Sequence, residues 1–316
     1  MKKLRILALI WTLMLVVPDS YAIRVTKTVL ETILQPVNKL SKAPCYADSC
    51  EHIIGIPYVE NGNERQVMDV YYARENRKNA VLIEIHGGFY VAGKRQNHRP
   101  FASVFLKEGY DVVLVEYRLV DGKTLDVSDE LQDCAAAVDY VTTHAEELGL
   151  NKDCMFITGS SAGSHLALYI AEGSEDKTLP IHPEFFRTRG VMLNCPAYDF
   201  ATFADPEYFY PSAMAWFLGP RYTDQEWMVS MSPRTYIRSY TGPLFVSTSE
   251  KDFLQLQSFL IAVDCATLPR QMSFVFIETK DKKVGHVHNV SHPEYPESKE
   301  VNDAMLEFMR ENANNQ

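Results

Sequence analysis

Between Asp153 and Ala167 the chain reads Asp-Cys-Met-Phe-Ile-Thr-Gly-Ser-Ser-Ala-Gly-Ser-His-Leu-Ala, and no other stretch limits its fold as strongly. Met155 to Thr158 is an apolar run of strand type. Gly159-Ser160-Ser161-Ala162-Gly163 follows at once, and Leu166, Leu168 and Ile170 continue a helical pattern from about Ser164. A strand, a sharp turn and a helix in so few residues need small side chains at 159 and 163, so that strand and helix close up while the Ser161 hydroxyl projects. The first turn of the helix leaves N–H groups unpaired, where negative charge on a ligand oxygen is stabilised. A candidate nucleophile and its electrophilic aid therefore come from one local structure. The plainer reading is a glycine-rich loop, and the placement between strand and helix argues against it.

The flanking chain repeats this unit. Ala80 to Ile85 and Tyr110 to Arg118 are nearly continuous apolar runs of buried-strand type, and Arg189 to Cys195, Leu244 to Thr248 and Ser273 to Ile277 read as further strands. Helices are predicted near Pro100 to Glu108, Ser128 to Leu148, Leu254 to Ala266 and Ser298 to Glu311. Ile53 to Val59 and Val67 to Tyr72 flank Glu60-Asn61-Gly62-Asn63, a turn composition that suits a hairpin. The alternation specifies an α/β protein, a mostly parallel central sheet flanked by helices through right-handed crossovers. Ligand sites in such sheets lie beyond the carboxyl ends of the strands, where both Ser161 and His86-Gly87-Gly88-Phe89 fall. Glycines at such an end let the backbone approach a ligand with its N–H groups free, although an ordinary tight turn needs them as well.

A serine hydroxyl is a poor nucleophile until a base takes its proton, and an imidazole suits that task near neutral pH. In doubly wound sheets with this elbow the partners follow in the order serine, acid, histidine, which leaves His286, His288 and His292 among the nine histidines. His286 is favoured because it stands first after the last strand and follows Gly285; His292, within Ser-His-Pro-Glu-Tyr-Pro, reads as turn surface. The acid must hold the imidazole in one tautomer. Asp252, four residues past Thr248, is best placed; it could also simply cap the helix that follows. Glu250 is the alternative, and Asp264 reads as a solvated surface charge. His286 and His288 lack the neighbouring ligands of a metal site, so no metal is expected. Asn289-Val-Ser291 matches a glycosylation sequon, but a glycan there would obstruct the expected base.

With 316 residues and 46% apolar content, the chain can bury one large core. Residues 1–22 read as an export signal: Lys2, Lys3 and Arg5 precede an apolar run from Ile6 to Val17, and Ser20-Tyr21-Ala22 supplies small residues for cleavage. The alternative is an uncleaved anchor. Cleavage would leave 28 cations against 40 anions, a net charge of −12, which disfavours nucleic acid and anionic lipid as partners. The expectation is therefore a periplasmic or secreted protein with no stable membrane association and a small-molecule or carbohydrate ligand; oligomeric state is open. Residues 23–52 read as an amphipathic helix and loop, with apolar residues from Val25 to Leu40 at helical spacing, and 53–316 as one catalytic domain. Of six cysteines, Cys45 and Cys50 bracket a polar loop and suit a local disulfide; the others read as small buried residues. An aromatic-rich insert at about 196–239 is either a lid over an apolar pocket or a helical segment packing on itself.

His86-Gly-Gly-Phe, Gly159-Ser-Ser161-Ala-Gly163, Asp252 and His286, with Tyr117-Arg118-Leu119 and Met231-Ser-Pro233 between them, resemble the hormone-sensitive-lipase-like branch of the α/β-hydrolase fold. Within it the chain is similar to exported bacterial acetyl-xylan and feruloyl esterase-type enzymes, over about residues 53 to 312. The resemblance implies an α/β-hydrolase fold with a lid, and a serine carboxylesterase acting on acetyl or feruloyl esters of carbohydrate. Ser161 would be nucleophile, His286 base and Asp252 its orienter, with the N–H groups of Gly87, Gly88 and Ala162 as the oxyanion hole and no cofactor. Two positions depart from it: Phe89 stands where many relatives have a third glycine, and Ser164 replaces a frequent glycine. Amide cleavage by the same machinery, as in formamidases or peptidases, and an exported binding module without catalysis are the alternatives.

Overall fold

The computed structural model describes residues 44–203, 211–281 and 283–313. The expected signal segment and the helix predicted over 23–43 lie outside the described residues. Eight strands form one sheet: β1 (Glu51–Pro57), β2 (Val67–Tyr72), β3 (Val81–Ile85), β4 (Asp111–Val115), β5 (Met155–Ser160), β6 (Gly190–Asn194), β7 (Leu244–Ser249) and β8 (Met272–Ile277), in the order β1-β2-β4-β3-β5-β6-β7-β8. β1 and β2 form the predicted antiparallel hairpin, β2 runs antiparallel to β4, and every later pairing is parallel. The chain winds outward from β3 to β4, then crosses back to β5 on the other side. That reversal opens a crevice between the ends of β3 and β5, where Ile85 pairs with Gly159. The loop after β3 and the turn after β5 are thereby adjacent.

All residues of β3 through β7 are buried, as their continuous apolar character requires of strands covered on both faces. Side-chain alternation divides the core. Val81, Ile83 and Ile85 meet Leu131 and Val138 of the helix Val127–Thr143 and Leu166 and Ile170 of the helix Ala162–Glu175. Leu82, Val112 and Phe156 face Phe101 and Phe105 of Arg99–Lys107 and Met305 and Phe308 of Pro296–Ala313. Each such side chain contributes about 1.5–3 kcal/mol by leaving water. Asp126 starts the helix Val127–Thr143 by accepting from Ser128 N at 2.8 Å, while Asp129 accepts from Asp126 N at 3.0 Å. The helix ends before the predicted Leu148, with His144 as its last cap.

Cys45 and Cys50 do not form the disulfide that their spacing suggested. The 3-10 turn Tyr46–Ser49 between them sends Cys45 Sγ to Asp48 Oδ2 at 3.6 Å and Cys50 Sγ to the Tyr46 carbonyl at 3.5 Å, and all six cysteines are thiols. Between β6 and β7 the insert contributes the helices Phe200–Phe203, Pro211–Leu218, Gln225–Ser230 and Pro233–Tyr236. Among the described residues, no helix is long and apolar enough to cross a membrane.

Candidate active site

Ser161 occupies the turn between β5 and the helix Ala162–Glu175 with φ 56° and ψ −121°, a conformation that disfavours any side chain. Its backbone is tied down on several sides: Ser161 N donates to the Asn194 carbonyl at 2.8 Å, and the Ser161 carbonyl accepts from Ser164 N at 3.0 Å. The flanking glycines are required by contact. A Cβ on Gly159 would lie 2.1 Å from the Gly163 carbonyl oxygen, and one on Gly163 would lie 2.1 Å from that of Ile85. Ser164, in place of the more frequent glycine, bonds to the Gly159 carbonyl at 2.7 Å and the Asn194 carbonyl at 3.1 Å, stapling the elbow to β6.

The loop after β3 folds back so that Ala92 N reaches the Gly88 carbonyl at 3.0 Å. Among the described residues, the N–H groups of Gly87, Gly88 and Ala162 donate to no protein group, so all three stay available beside Ser161. The Tyr-Arg-Leu motif holds this loop from below. Tyr117 stacks on His86 with ring centroids 4.3 Å apart and donates to its carbonyl at 2.5 Å. Arg65 donates to the carbonyls of Tyr117 and Gly93, each at 2.9 Å, and pairs with Glu116. Burial would raise the Glu116 carboxyl, but His86, Arg65 and the Arg95 N–H outweigh it and hold it down at about 2.

Asp252 and His286 meet behind the elbow, with Oδ1 and Nδ1 2.6 Å apart. The same Oδ1 accepts from Leu254 N at 3.0 Å, at the start of the helix Gln255–Cys265, and Oδ2 accepts from Thr248 Oγ1 at 2.7 Å. The aspartate thus holds the imidazole and fixes the turn ahead of the helix, whose own N-cap is Leu254, so it is not the helix cap that was the alternative. Burial opposes its charge, yet the bonds from His286, Leu254 and Thr248 keep its carboxyl below the usual range. His286 Nε2 has no partner among the described residues, and the ring lines one cavity with Ser161, Gly87 and Gly88. A single parallel bridge, Lys251 to Gly285, joins the loop carrying the acid to the loop carrying the base.

The other candidates fall away from this point. Glu250 faces solvent and pairs with Lys251 at 2.5 Å. Asp264 is no free surface charge, as it accepts from Tyr198 at 3.0 Å and Arg234 at 2.9 Å, anchoring the insert. His288 is buried and bonds to Ser298 at 3.0 Å, and the exposed His292 stacks on Tyr295 at the cavity rim. Asn289 is 1% exposed and donates to Asn194 at 2.7 Å and Asn302 at 3.1 Å, which leaves its sequon inaccessible. Cys195 Sγ lies with Asp252 and His286 in the one group within 4.8 Å that could hold a metal ion among the described residues. Burial first, then the Asp252 charge, push its thiol well up, so it meets the pair as a neutral group.

Ser161 separates two unlike spaces. On one side is the cavity of about 430 Å³ just described, with Lys94, Asn97 and His98 in its wall. On the other is an apolar pit of about 10 Å³ lined by Phe89, Tyr90, Ala162, Phe217, Leu218 and Leu254. Phe89 borders both. Its ring stacks on Phe217 at 5.1 Å and on Phe253 at 5.7 Å, and Phe253 lies 4.3 Å from the His286 ring. Other described insert aromatics pack inward: Phe200 stacks on His165 at 4.6 Å and on Trp227 at 6.5 Å. His165 is neutral, pushed down to about 4 by burial, and bonds to the Met231 carbonyl at 2.7 Å.

Backbone strain gathers here too. Of the eight described non-glycine residues with positive φ, Phe89, Tyr90, Ser161, Cys195 and Val287 surround the site, and the other three are asparagines, which tolerate it best. Asn194 escaped the sequence analysis although it ties four strands and loops together. Its side chain donates to the Gly159 carbonyl at 3.0 Å and accepts from Ser247 at 3.1 Å and Asn289 at 2.7 Å. One polar residue at the end of an apolar strand was its only signal. Glu84, the lone charge within β3, carried the same signal.

The sheet order, the elbow and the His–Asp pair after β7 and β8 define the α/β-hydrolase fold. Residues 68–257 match the BD-FAE family, and the chain belongs to it. The chain is 28% identical to esterase LipQ of Mycobacterium tuberculosis over 206 residues, 62% of this chain and 48% of that protein. It is 26% identical to mouse (Mus musculus) hormone-sensitive lipase over 96 residues, 30% of this chain and 12% of that protein. The chain thus spans less than half the length of these curated relatives. Among solved structures it resembles esterase B of Lactobacillus rhamnosis with a TM-score of 0.74 at 22% identity, covering 98% of this chain and 96% of that one.

Proposed function

We propose that the chain is a serine carboxylesterase working through an acyl-enzyme. The observation that carries this reading is one cavity lined by a serine on a strained turn and by an imidazole whose Nδ1 is committed to a buried aspartate 2.6 Å away. In that reading Ser161 Oγ attacks the ester carbonyl as His286 Nε2 takes its proton. The oxyanion is met by the free N–H groups of Gly87, Gly88 and Ala162. The C–O bond then breaks, the proton passes from His286 to the leaving alcohol, and water repeats the sequence on the acyl-serine. No cofactor takes part. Esterase and lipase activities named for LipQ, hormone-sensitive lipase and the Lactobacillus enzyme support the ester as substrate.

A pit of about 10 Å³ has room for roughly one water-sized group, which favours an acetyl over a feruloyl moiety. The larger, partly polar cavity suits a hydroxylated alcohol such as a sugar. Export to the periplasm or medium belongs to the same proposal and rests on the N-terminal pattern alone. The test is Ser161→Ala in the purified protein: nitrophenyl acetate turnover should fall by about three orders of magnitude or more, and a fluorophosphonate should label only the parent. A variant with near-parental activity ends the proposal.

A further inference from the structure

β3 contains an anomaly that the proposed chemistry does not use. Four of its five residues, Val81, Leu82, Ile83 and Ile85, are apolar, and the fifth is Glu84, 1% exposed at the centre of the sheet. An unpaired carboxylate there would cost several kcal/mol, so its partner is informative. That partner is His98, whose Nδ1 lies 2.6 Å from Glu84 Oε1. The contact is bent away from the ring N–H axis, and no other described side chain approaches the Glu84 carboxylate, so His98 is the group set to neutralise it. His98 ends the 3-10 turn Arg95–His98, and its ring lines the same cavity as Ser161 and His286. Among the described residues its Nε2 has no hydrogen-bond partner, and the residue borders that cavity. One cavity therefore contains two imidazoles, each held through Nδ1 by a buried carboxylate. His98 does not border the apolar pit, which lies beyond Phe89.

We propose that His98, held by Glu84, binds the alcohol half of the ester, its Nε2 accepting a hydrogen bond from a hydroxyl carried on the leaving group. With the proton on Nδ1 facing the carboxylate, Nε2 presents a lone pair and serves as an acceptor. The acyl group has its own place across Phe89, so what reaches His98 is the other half of the substrate. A purely structural pair would account for Glu84 but leave the unpartnered Nε2 without a role. The inference rests on the esterase reading and adds a specificity that reading lacks: a polar site built for a hydroxyl discriminates against the isostere without one.

The experiment compares 2-hydroxyethyl acetate with propyl acetate, which match in heavy-atom count and differ in the terminal hydroxyl. The parent enzyme should favour the hydroxyl ester by about tenfold in kcat/KM. His98→Phe should remove that preference through KM while leaving propyl acetate within about threefold. His98→Gln, which restores an acceptor, should recover part of it. Equal kcat/KM for the two esters in the parent, or an unchanged ratio in His98→Phe, overturns the inference and leaves the esterase reading standing. Equal losses on both esters assign His98 a structural role and overturn it too. No turnover of either ester by the parent removes the esterase reading itself.

Discussion

Asp252 illustrates how much chemistry one side chain concentrates. It holds His286, fixes the turn ahead of the helix Gln255–Cys265 through Leu254 N and takes a third bond from Thr248, so charge, geometry and local folding depend on the same carboxylate. Under the proposed mechanism Asp252→Asn should lower kcat by about three to four orders of magnitude, because an amide no longer fixes the imidazole tautomer. The helix start should survive, since an asparagine oxygen still accepts from Leu254 N, and a thermal melt with little change would separate the two roles. Asn194 makes the converse case. It is fully buried, and Asn194→Ala takes one bond each from the Gly159 carbonyl, Ser247 and Asn289, which should cost about 2–4 kcal/mol in denaturant unfolding. That Asp252 pairs with His286, and that His286 shares a cavity with Ser161, was legible because strand ends and chain order restrict which side chains can meet there. Asn194, Thr248 and Glu84 were not: a hydrogen-bond hub is defined by neighbours distant in the chain, and no local spacing announces it.

At the level of elements, the strands and principal helices follow from apolar periodicity, with ends that shift by a few residues. The helix Val127–Thr143 stops short of Leu148, with His144 in the C-cap position. The insert resisted reading because aromatic residues look alike whether they line a pocket or fill a core. In the structure the two uses are divided, with Phe217 and Leu218 reaching the pit and Phe200 and Trp227 packing beneath it. Phe89, the departure from a third glycine, is a partition between the two halves of the site. Its aromatic stack with Phe217 and Phe253 closes the pit. Phe89→Ala should therefore raise kcat/KM for butyrate relative to acetate esters by about tenfold, one or two methylenes being worth that much in an apolar pocket. A chain-length profile unchanged by the substitution would assign the size limit elsewhere.

For the whole molecule, the eight-stranded sheet was predictable as mostly parallel, but its strand order was not, since pairing across the β3–β5 crevice depends on crossovers that sequence leaves open. Burial of ionisable groups gives the fold a signature in pH. His165 is neutral inside, with its pKa pushed down to about 4, whereas the unfolded chain holds it near 6.5. As pH falls from 6.5 towards 4, the unfolded state gains a proton that the folded state refuses, and up to about 3 kcal/mol of stability is lost. Glu130 and Glu172, pushed well up by burial, change stability in the opposite sense over part of that range, so the comparison must be with a variant. His165→Phe should be less stable than the parent at pH 8, its Met231 carbonyl unpaired, with the gap in Tm narrowing steadily down to pH 4. A pH-independent gap contradicts this account. The bridge between Lys251 and Gly285 has a consequence of its own. It couples the two loops beyond β7 and β8, so under the proposed mechanism a fluctuation that lifts either one moves acid and base together, and partial opening should silence turnover rather than slow it.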